Sequence, residues 1–500
     1  MRYYLLVVLI TYSNVFAQKK YWVYFKDDVG SIQDRIQLIE KNGGVYKRKS
    51  EWLNAASFVL TNGQIEQLKA KKLSKEIKPV LTLVGQRFSE KEFEINEQIE
   101  QIDGKLLIES GLTGKGIKVG IIDAGFSYAN SSVYFKHLFS NGLVKAHRDF
   151  VSPDSLDFFK PKTHSDNHGA SVWELIGGKQ DNNYYGLAYE SEFYLARTEI
   201  GDKEERIEED KWIEAIEWMH KNGVKVVNSS VGYANAFDNV SDNHKKNEMD
   251  GKTTAISKAA QLATEEKGML LVISAGNLGN SLWKIVSAPA DAEGVISVGA
   301  TDKNLWTKAS YSSIGPSTNN YLKPNVSSYS PNGTSFSSPV IAGFAACLWQ
   351  KDTSLTNKDL KKIIEQSSHL YPYGNNYIGY GVPNAKKAIA IIEKDLKIMM
   401  DRPKLISVEN KKLTLNILSE DKISIVGFHK LNKHIVKNQF SVIYEEVKKK
   451  VKKKNAKVKM IISNKGDSVF LKLENKSKDV KYSSFSINNN DLYEIEWKKK

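Results

Sequence analysis

Four polar residues stand where apolar stretches stop, and together they could move a proton and hold a developing negative charge. Asp123 closes "IKVGIID" ahead of Ala124-Gly125, and His168 precedes Gly169 and the helical stretch "ASVWELIGG". Asn277 ends "MLLVISAGN", and Ser335 lies in "NGTSFSSPVIAGFAACLW", just ahead of an apolar run of helical length. A serine hydroxyl is a weak nucleophile at neutral pH and needs a base, and an imidazole serving as that base needs a carboxylate to orient it. Gly333 removes a side chain where another group must approach closely, and Pro339 is tolerated in a first helical turn because its missing N–H has no partner there. The free N–H groups of such a turn suit an oxyanion forming beside Ser335, and the Asn277 amide could add a donor. Singly, these residues also read as a turn, a helix start or a strand end. Their shared placement at strand ends and helix starts points to acyl transfer through a serine. His164 competes as the base, but the helix that starts after His168 favours His168.

Residues so far apart in the chain need a scaffold that gathers strand ends. Between about Gly111 and Glu393 the runs "IKVGIID", "VKVVNSS", "MLLVISAG" and "VISVGA" are apolar and β-branched, as strands covered on both faces are. Between them lie helices such as "DKWIEAIEWMHKNG", with Trp212, Ile213, Ile216 and Met219 on one face, and "AISKAAQLATEEKG". The alternation predicts an α/β fold, a doubly wound parallel sheet over residues 106–396 with its site at the carboxyl ends of the strands. Residues 18–84 read as a small α+β domain, with strands at "YWVYF", "AASFVLT" and "VLTLV" and a capping box from Thr61 to Gln64. Residues 85–105 are polar and charged, as in a linker open to proteolysis. Residues 397–500 alternate short β-rich runs with polar turns and predict a small all-β domain, in which "KKKVKKK" reads as a solvated hairpin or loop.

The opening "MRYYLLVVLITYSNVFAQKK" has one arginine, an apolar stretch and the small-residue site before Gln18, which predicts a signal peptide over residues 1–17 and a secreted or periplasmic protein. That stretch is well short of the roughly 20 residues a membrane span needs, and no transmembrane segment is expected. The net charge is +14, yet nearly all of the excess falls after Asp401, so no nucleic-acid partner is expected for the central domain. The one cysteine, Cys347, lies within an apolar run and excludes a disulfide framework or a cysteine metal site; it reads as a small buried residue.

Residues 111–393 resemble the subtilisin-like serine peptidases. "GIKVGIIDAGF", "HGASV", "VVNSSVGY", "SAGN" and "GTSFSSP" are similar to that family's aspartate, histidine, substrate-strand, oxyanion-asparagine and serine motifs, in the same order. "EEDKWIEAIEWMHKNGVKVVNSSVGY" resembles in particular the secreted subtilisin-like peptidases of the Bacteroidetes group. The resemblance implies Ser335 as nucleophile, His168 as base and then acid, Asp123 as its orienter, and Asn277 with the Ser335 N–H as oxyanion donors. It implies that Ser229, Ser230, Val231 and Gly232 pair with a peptide substrate. Ala275, Gly276 and Ser287 belong to the adjoining wall and pocket, where the uncharged "SAPA" favours small or apolar side chains. It also implies a first domain that acts as an intramolecular inhibitor, cut away between about Gly85 and Lys105. No cofactor is required. Calcium is the open option, although "GGKQDNNYYG" lacks a full acidic ligand set, and Asp181 and Asn182 read as a turn. Two departures stand out: Ala170 and Ser171 replace the usual Thr and His, and the stretch from Lys323 to Gly333 is short. The second motivates an alternative, an inactive scaffold that keeps the fold.

Overall fold

The computed structural model describes residues 19–26, 31–71, 74–79, 96–155, 157–201, 203–235, 237–395, 403–417, 422–445, 450–455, 457–465 and 468–498. The signal segment, the expected strand "VLTLV" and the linker as far as residue 95 lie outside them. The chain divides into two compact units, Met1–Leu81 and Thr82–Lys500.

The first unit runs β1 (Lys19–Phe25), α1 (Ile32–Lys41), β2 (Val45–Ser50), β3 (Ala55–Leu60), α2 (Asn62–Ala70) and β4 (Ser74–Pro79). Its antiparallel sheet has the order β2-β3-β1-β4. Both helices start with reciprocal caps, Ser31 with Asp34 and, as the sequence predicts, Thr61 with Gln64. Ile36, Ile39, Ile65 and Leu68 cover Val23, Phe25, Phe58 and Leu60. Strand β2, "VYKRKS", is not foreseen from sequence because its one fully buried residue is Ser50 and it carries no apolar alternation.

The second unit opens with α3 (Asn96–Gln101) and α4 (Lys105–Glu109), then β5 (Lys118–Asp123), α5 (Lys136–Ser140) and β6 (Val144–Asp149). Residues 96–105 are therefore not linker: Ile99 and Ile102 are buried in the main core. Next come α6 (His168–Gly177), a hairpin of β7 (Lys179–Gln180) and β8 (Asn183–Tyr184), β9 (Glu192–Arg197), α7 (Ile207–Lys221), β10 (Val226–Ser229), α8 (Ala255–Glu265) and β11 (Leu270–Ser274). The layer is completed by β12 (Ile296–Thr301), β13 (Val326–Tyr329), α9 (Ser338–Lys351), α10 (Asn357–Ser367) and α11 (Ala385–Ile392). The seven strands lie in the order β13-β12-β11-β10-β5-β9-β6 and pair in parallel. Every residue of β10, β11 and β12 is buried, which is why they read as continuous apolar runs. The chain departs to opposite sides of β5, with β9 on one flank and β10 on the other, and this switch point opens a crevice at the strands' carboxyl ends. Helix α9 is buried from Ser338 to Trp349 and anchors the loop before it.

The last part of this unit is all-β: β14 (Lys404–Val408), β15 (Lys412–Ile417), β16 (Lys422–Lys430), β17 (Val436–Glu445), β18 (Lys450–Asn455), β19 (Val458–Lys465), β20 (Ser468–Asn475), β21 (Tyr482–Ile487) and β22 (Asp491–Trp497). Two sheets, β14-β22-β21-β16-β17 and β15-β20-β19-β18, share a core that joins Ile425 and Val442 to Ile462 and Leu471. Five residues of "KKKVKKK", Lys450 to Lys454, lie in β18, the edge arm of a hairpin with β19, in keeping with the hairpin reading, and its lysines discourage pairing with another chain. A separate cluster joins Leu370 and Ile378 to Val426, Phe428, Val436 and Leu492, so the sandwich is welded to the α/β layer. Among the described residues no helix is long and apolar enough to cross a membrane.

Candidate active site

Asp123 is the last residue of β5 and is fully buried. Its Oδ1 accepts the Ala124 N–H at 2.8 Å and faces Nδ1 of His168 at 2.6 Å. His168 opens α6 after a tight loop built on Asp166, whose carboxylate accepts the Thr163 N–H at 2.9 Å as well as the Lys162 N–H. Arg197 locks this loop to the β5 end: Nε donates to the Ala124 carbonyl at 3.0 Å, and the guanidinium pairs with Asp149 and Asp166 at 3.2 and 3.5 Å. His164, the competing histidine, is exposed on the loop. Burial opposes charge on the His168 ring, but the charge and hydrogen bond of Asp123 and the charge of Glu199 outweigh it, holding the imidazole above its ordinary value.

Ser335 arrives from β13 through a short loop. Gly333 takes φ 155° and ψ 150°, a region essentially reserved for glycine, and a single 3-10 turn over Thr334–Phe336 follows before α9 begins. The helix therefore starts three residues after Ser335 rather than at it. The Ser335 Oγ donates to the Ser230 carbonyl at 3.2 Å, and the Ser230 Oγ donates back to the Ser335 carbonyl at 2.9 Å. Phe336, the next residue, lies with its ring centroid 5.3 Å from that of His168, so the base borders the turn that carries the hydroxyl.

Asn277 follows β11. Its Oδ1 accepts the Thr334 N–H at 2.8 Å and the Thr334 hydroxyl at 3.0 Å, which assigns the amide's orientation because the N–H can only donate. The Nδ2 group is then the side of Asn277 left for an anion. The adjacent Gly276 N–H donates to the Thr334 Oγ1 at 3.0 Å, and Ala275 is buried under it through its bond to Val298.

The expected substrate segment divides in two. Ser229 is the buried end of β10, and its hydroxyl accepts the Trp212 indole N–H at 2.9 Å, so its side chain belongs to the core. Ser230, Val231 and Gly232 run beyond the sheet; Val231 and Gly232 are half-buried, and Tyr233 then pairs with Ala288. Ser287 is buried, packed against both Gly232 and Gly276. Asp181 and Asn182 form the turn between β7 and β8, with Asp181 in the left-handed region. Asp181 is the sole acid of that turn, which does not amount to a calcium ligand set, and no cluster of three or more His, Cys, Asp or Glu among the described residues could hold an ion. Cys347 is buried in α9, where burial pushes its thiol up, and plays no part in this arrangement.

Glu199 is the residue that sequence reasoning missed. It follows β9, next to β5, and its carboxyl accepts hydroxyl bonds from Thr198 at 2.8 Å and Tyr233 at 3.1 Å. Burial, against those bonds, pushes it up to about 7. The signal was present, an acid just past a buried strand as at Asp123, but "ARTEIGD" offers no motif to mark it.

A model of the subtilase family matches residues 114–381. Subtilisin E of Bacillus subtilis (strain 168) is 25% identical over 406 residues, covering 77% of this chain and 96% of its own. Subtilisin DY of Bacillus licheniformis is 28% identical over 289 residues, 56% of this chain and 92% of its own. Among solved structures, a variant of the epidermin leader peptide processing serine protease from Staphylococcus aureus aligns with a TM-score of 0.55 at 18% identity, covering 75% of this chain and 99% of that one, a likeness of fold.

Proposed function

This chain belongs to the subtilase family of serine peptidases, and from that premise we propose that it cuts peptide bonds through an acyl-enzyme on Ser335, with His168 as base and Asp123 as its orienter. The observation that carries the reading is the 2.6 Å contact of Asp123 Oδ1 with His168 Nδ1, made by a ring that borders the Ser335 turn. With Nδ1 held by the carboxylate, Nε2 is the ring atom that can take a proton. The Ser335 hydroxyl leaves the Ser230 carbonyl for Nε2 as Oγ attacks the substrate carbonyl carbon. The imidazolium then gives its proton to the departing amine, and water, activated by the same ring, releases the acid. The Asn277 Nδ2 and the Ser335 N–H stabilise the tetrahedral oxyanion.

Ser230, Val231 and Gly232 offer a strand edge to the substrate backbone, an arrangement in which main-chain bonds supply affinity and side-chain pockets supply preference. The uncharged "SAPA" wall at Ser287 supports a preference for small or apolar side chains. The signal-like opening supports export to the periplasm or beyond. The first unit, with a core of its own, is read as a propeptide that restrains the enzyme until it is removed. The reaction requires no cofactor.

A fluorophosphonate probe tests the central claim. The parent chain, once processed, is expected to be labelled at Ser335, and Ser335→Ala to remain unlabelled. A processed parent that takes no label would leave the inactive scaffold as the better reading, although nothing in the arrangement of Asp123, His168, Asn277 and Ser335 favours it.

A further inference from the structure

Helix α3 precedes the family match, which begins at residue 114, yet it reaches the nucleophile. Gln98 is 1% exposed, and its Nε2 donates to two carbonyls, Tyr329 at 3.0 Å and Phe336 at 2.7 Å. Tyr329 ends β13 and Phe336 directly follows Ser335, so one amide spans the loop that delivers the hydroxyl. Gln101, on the same helix, accepts the Tyr329 N–H at 2.5 Å and donates to Thr301 at 3.1 Å, which fixes the β13 end against β12. Ile99 and Ile102 anchor the helix in the main core.

We propose that Gln98 is a positioning residue for Ser335, a staple supplied from inside the expected processing region, so that maturation must cut before residue 98. The rest of the loop is tethered from within the sheet layer, by Ser230 at Ser335, by Asn277 at Thr334, and by the paired Ser328 and Ser337, whose hydroxyls each donate to the other's carbonyl at 3.1 and 3.2 Å. None of these joins Tyr329 to Phe336. Two carbonyls deprived of a shared buried donor would move apart to find other partners. The Phe336 ring borders His168, so that movement changes the approach of Oγ to the base. The inference rests on the peptidase reading and adds a residue to it.

The test uses the full chain with Gln98→Met, which keeps length and shape but cannot donate, and Gln98→Glu, which sets a carboxyl oxygen against both carbonyls. Ile99→Val thins the core contact of the same helix and controls for stability, and Glu100→Ala, at an exposed site, controls for the substitution itself. Labelling of the parent establishes the peptidase reading separately. Both Gln98 variants are expected to fold and to lose about 10²-fold in the rate of fluorophosphonate acylation with KM for a peptide substrate little changed, as a misplacement near 1 Å would produce. Ile99→Val should melt earlier yet acylate at the parental rate. Parental acylation in folded Gln98→Met overturns the proposal, as does an active processed form whose intact mass begins after Gln98.

Discussion

A β-carbon added at Gly169 would stand 2.8 Å from the Cβ of Asp123 and 2.4 Å from the Gly125 carbonyl oxygen. The first turn of α6 is thus pressed onto the end of β5, and this closeness sets the contact between the Asp123 carboxylate and the His168 ring. Gly169→Ala is expected to push α6 outward, lowering kcat about 10²-fold while KM holds, since small displacements of reacting groups act on the chemical step. Steady-state kinetics on protein of verified fold would check it. An unchanged kcat would mean that α6 can shift without carrying the imidazole away.

Much of this geometry was legible because buried parallel strands announce themselves. β5, β10, β11 and β12 are buried at nearly every residue, so their apolar runs marked where each ends, and the polar residues just beyond could be compared. Helix α3 was obscured by composition. In "NEQIEQI" the residues Ile99 and Ile102 have helical spacing, but polar neighbours outnumber them and the stretch reads as linker. The roles of Gln98 and Glu199 depend on contacts with distant segments, Tyr329 and Phe336 in one case and Tyr233 in the other, which no local pattern encodes. The place of Ser229 in the motif says nothing of its side chain, whose hydroxyl serves Trp212 in the core, another contact that no local pattern encodes.

The pH dependence follows from the charges around His168. Catalysis needs the neutral ring, so kcat/KM is lost as pH falls through the imidazole's titration. Asp123 and Glu199 hold that titration above the ordinary value of 6.5. The acid limb of kcat/KM in the free enzyme is therefore expected above pH 6.5. Glu199→Gln removes one of the two stabilising charges, and the limb should move to lower pH, with the hydroxyl bonds from Thr198 and Tyr233 still satisfied by the amide oxygen. A limb that moves to higher pH would contradict the assignment of sign.

Asn277 has two tasks that one substitution can separate. Its Oδ1 holds Thr334, and its Nδ2 is assigned to the oxyanion. Alanine would remove both, whereas Asn277→Asp keeps the acceptor for Thr334 and replaces the donor with a negative oxygen. The aspartate variant is expected to keep its melting temperature near the parent's while kcat falls by at least the 10²–10³ typical of losing one oxyanion donor. Equal kcat in the two proteins would place the oxyanion elsewhere.

The C-terminal sandwich is expected to unfold together with the peptidase layer. Phe428 is fully buried between Leu370 and Ile378 on one side and Val426, Val436 and Leu492 on its own. The seam is also stitched by backbone groups: the Lys308 N–H donates to the Gln439 side chain at 2.8 Å, the Asn376 N–H to the His434 carbonyl at 2.9 Å, and the Val436 N–H to the Asn376 side chain at 2.9 Å. A module that merely hung from the enzyme would leave these donors to water and would not bury residues from both parts in one cluster. Phe428→Ala should cost about 3–5 kcal/mol, as large aromatic truncations in a core do. Because the cluster is shared, the loss should appear equally in two measurements: thermal unfolding followed by fluorescence, and the temperature at which peptidase activity disappears. A variant whose sandwich melts early while activity keeps its parental temperature would show that the seam carries no coupling. The sandwich could then be removed without harm to the enzyme, whereas a coupled seam makes truncation after Asp401 a destabilising change in the peptidase itself.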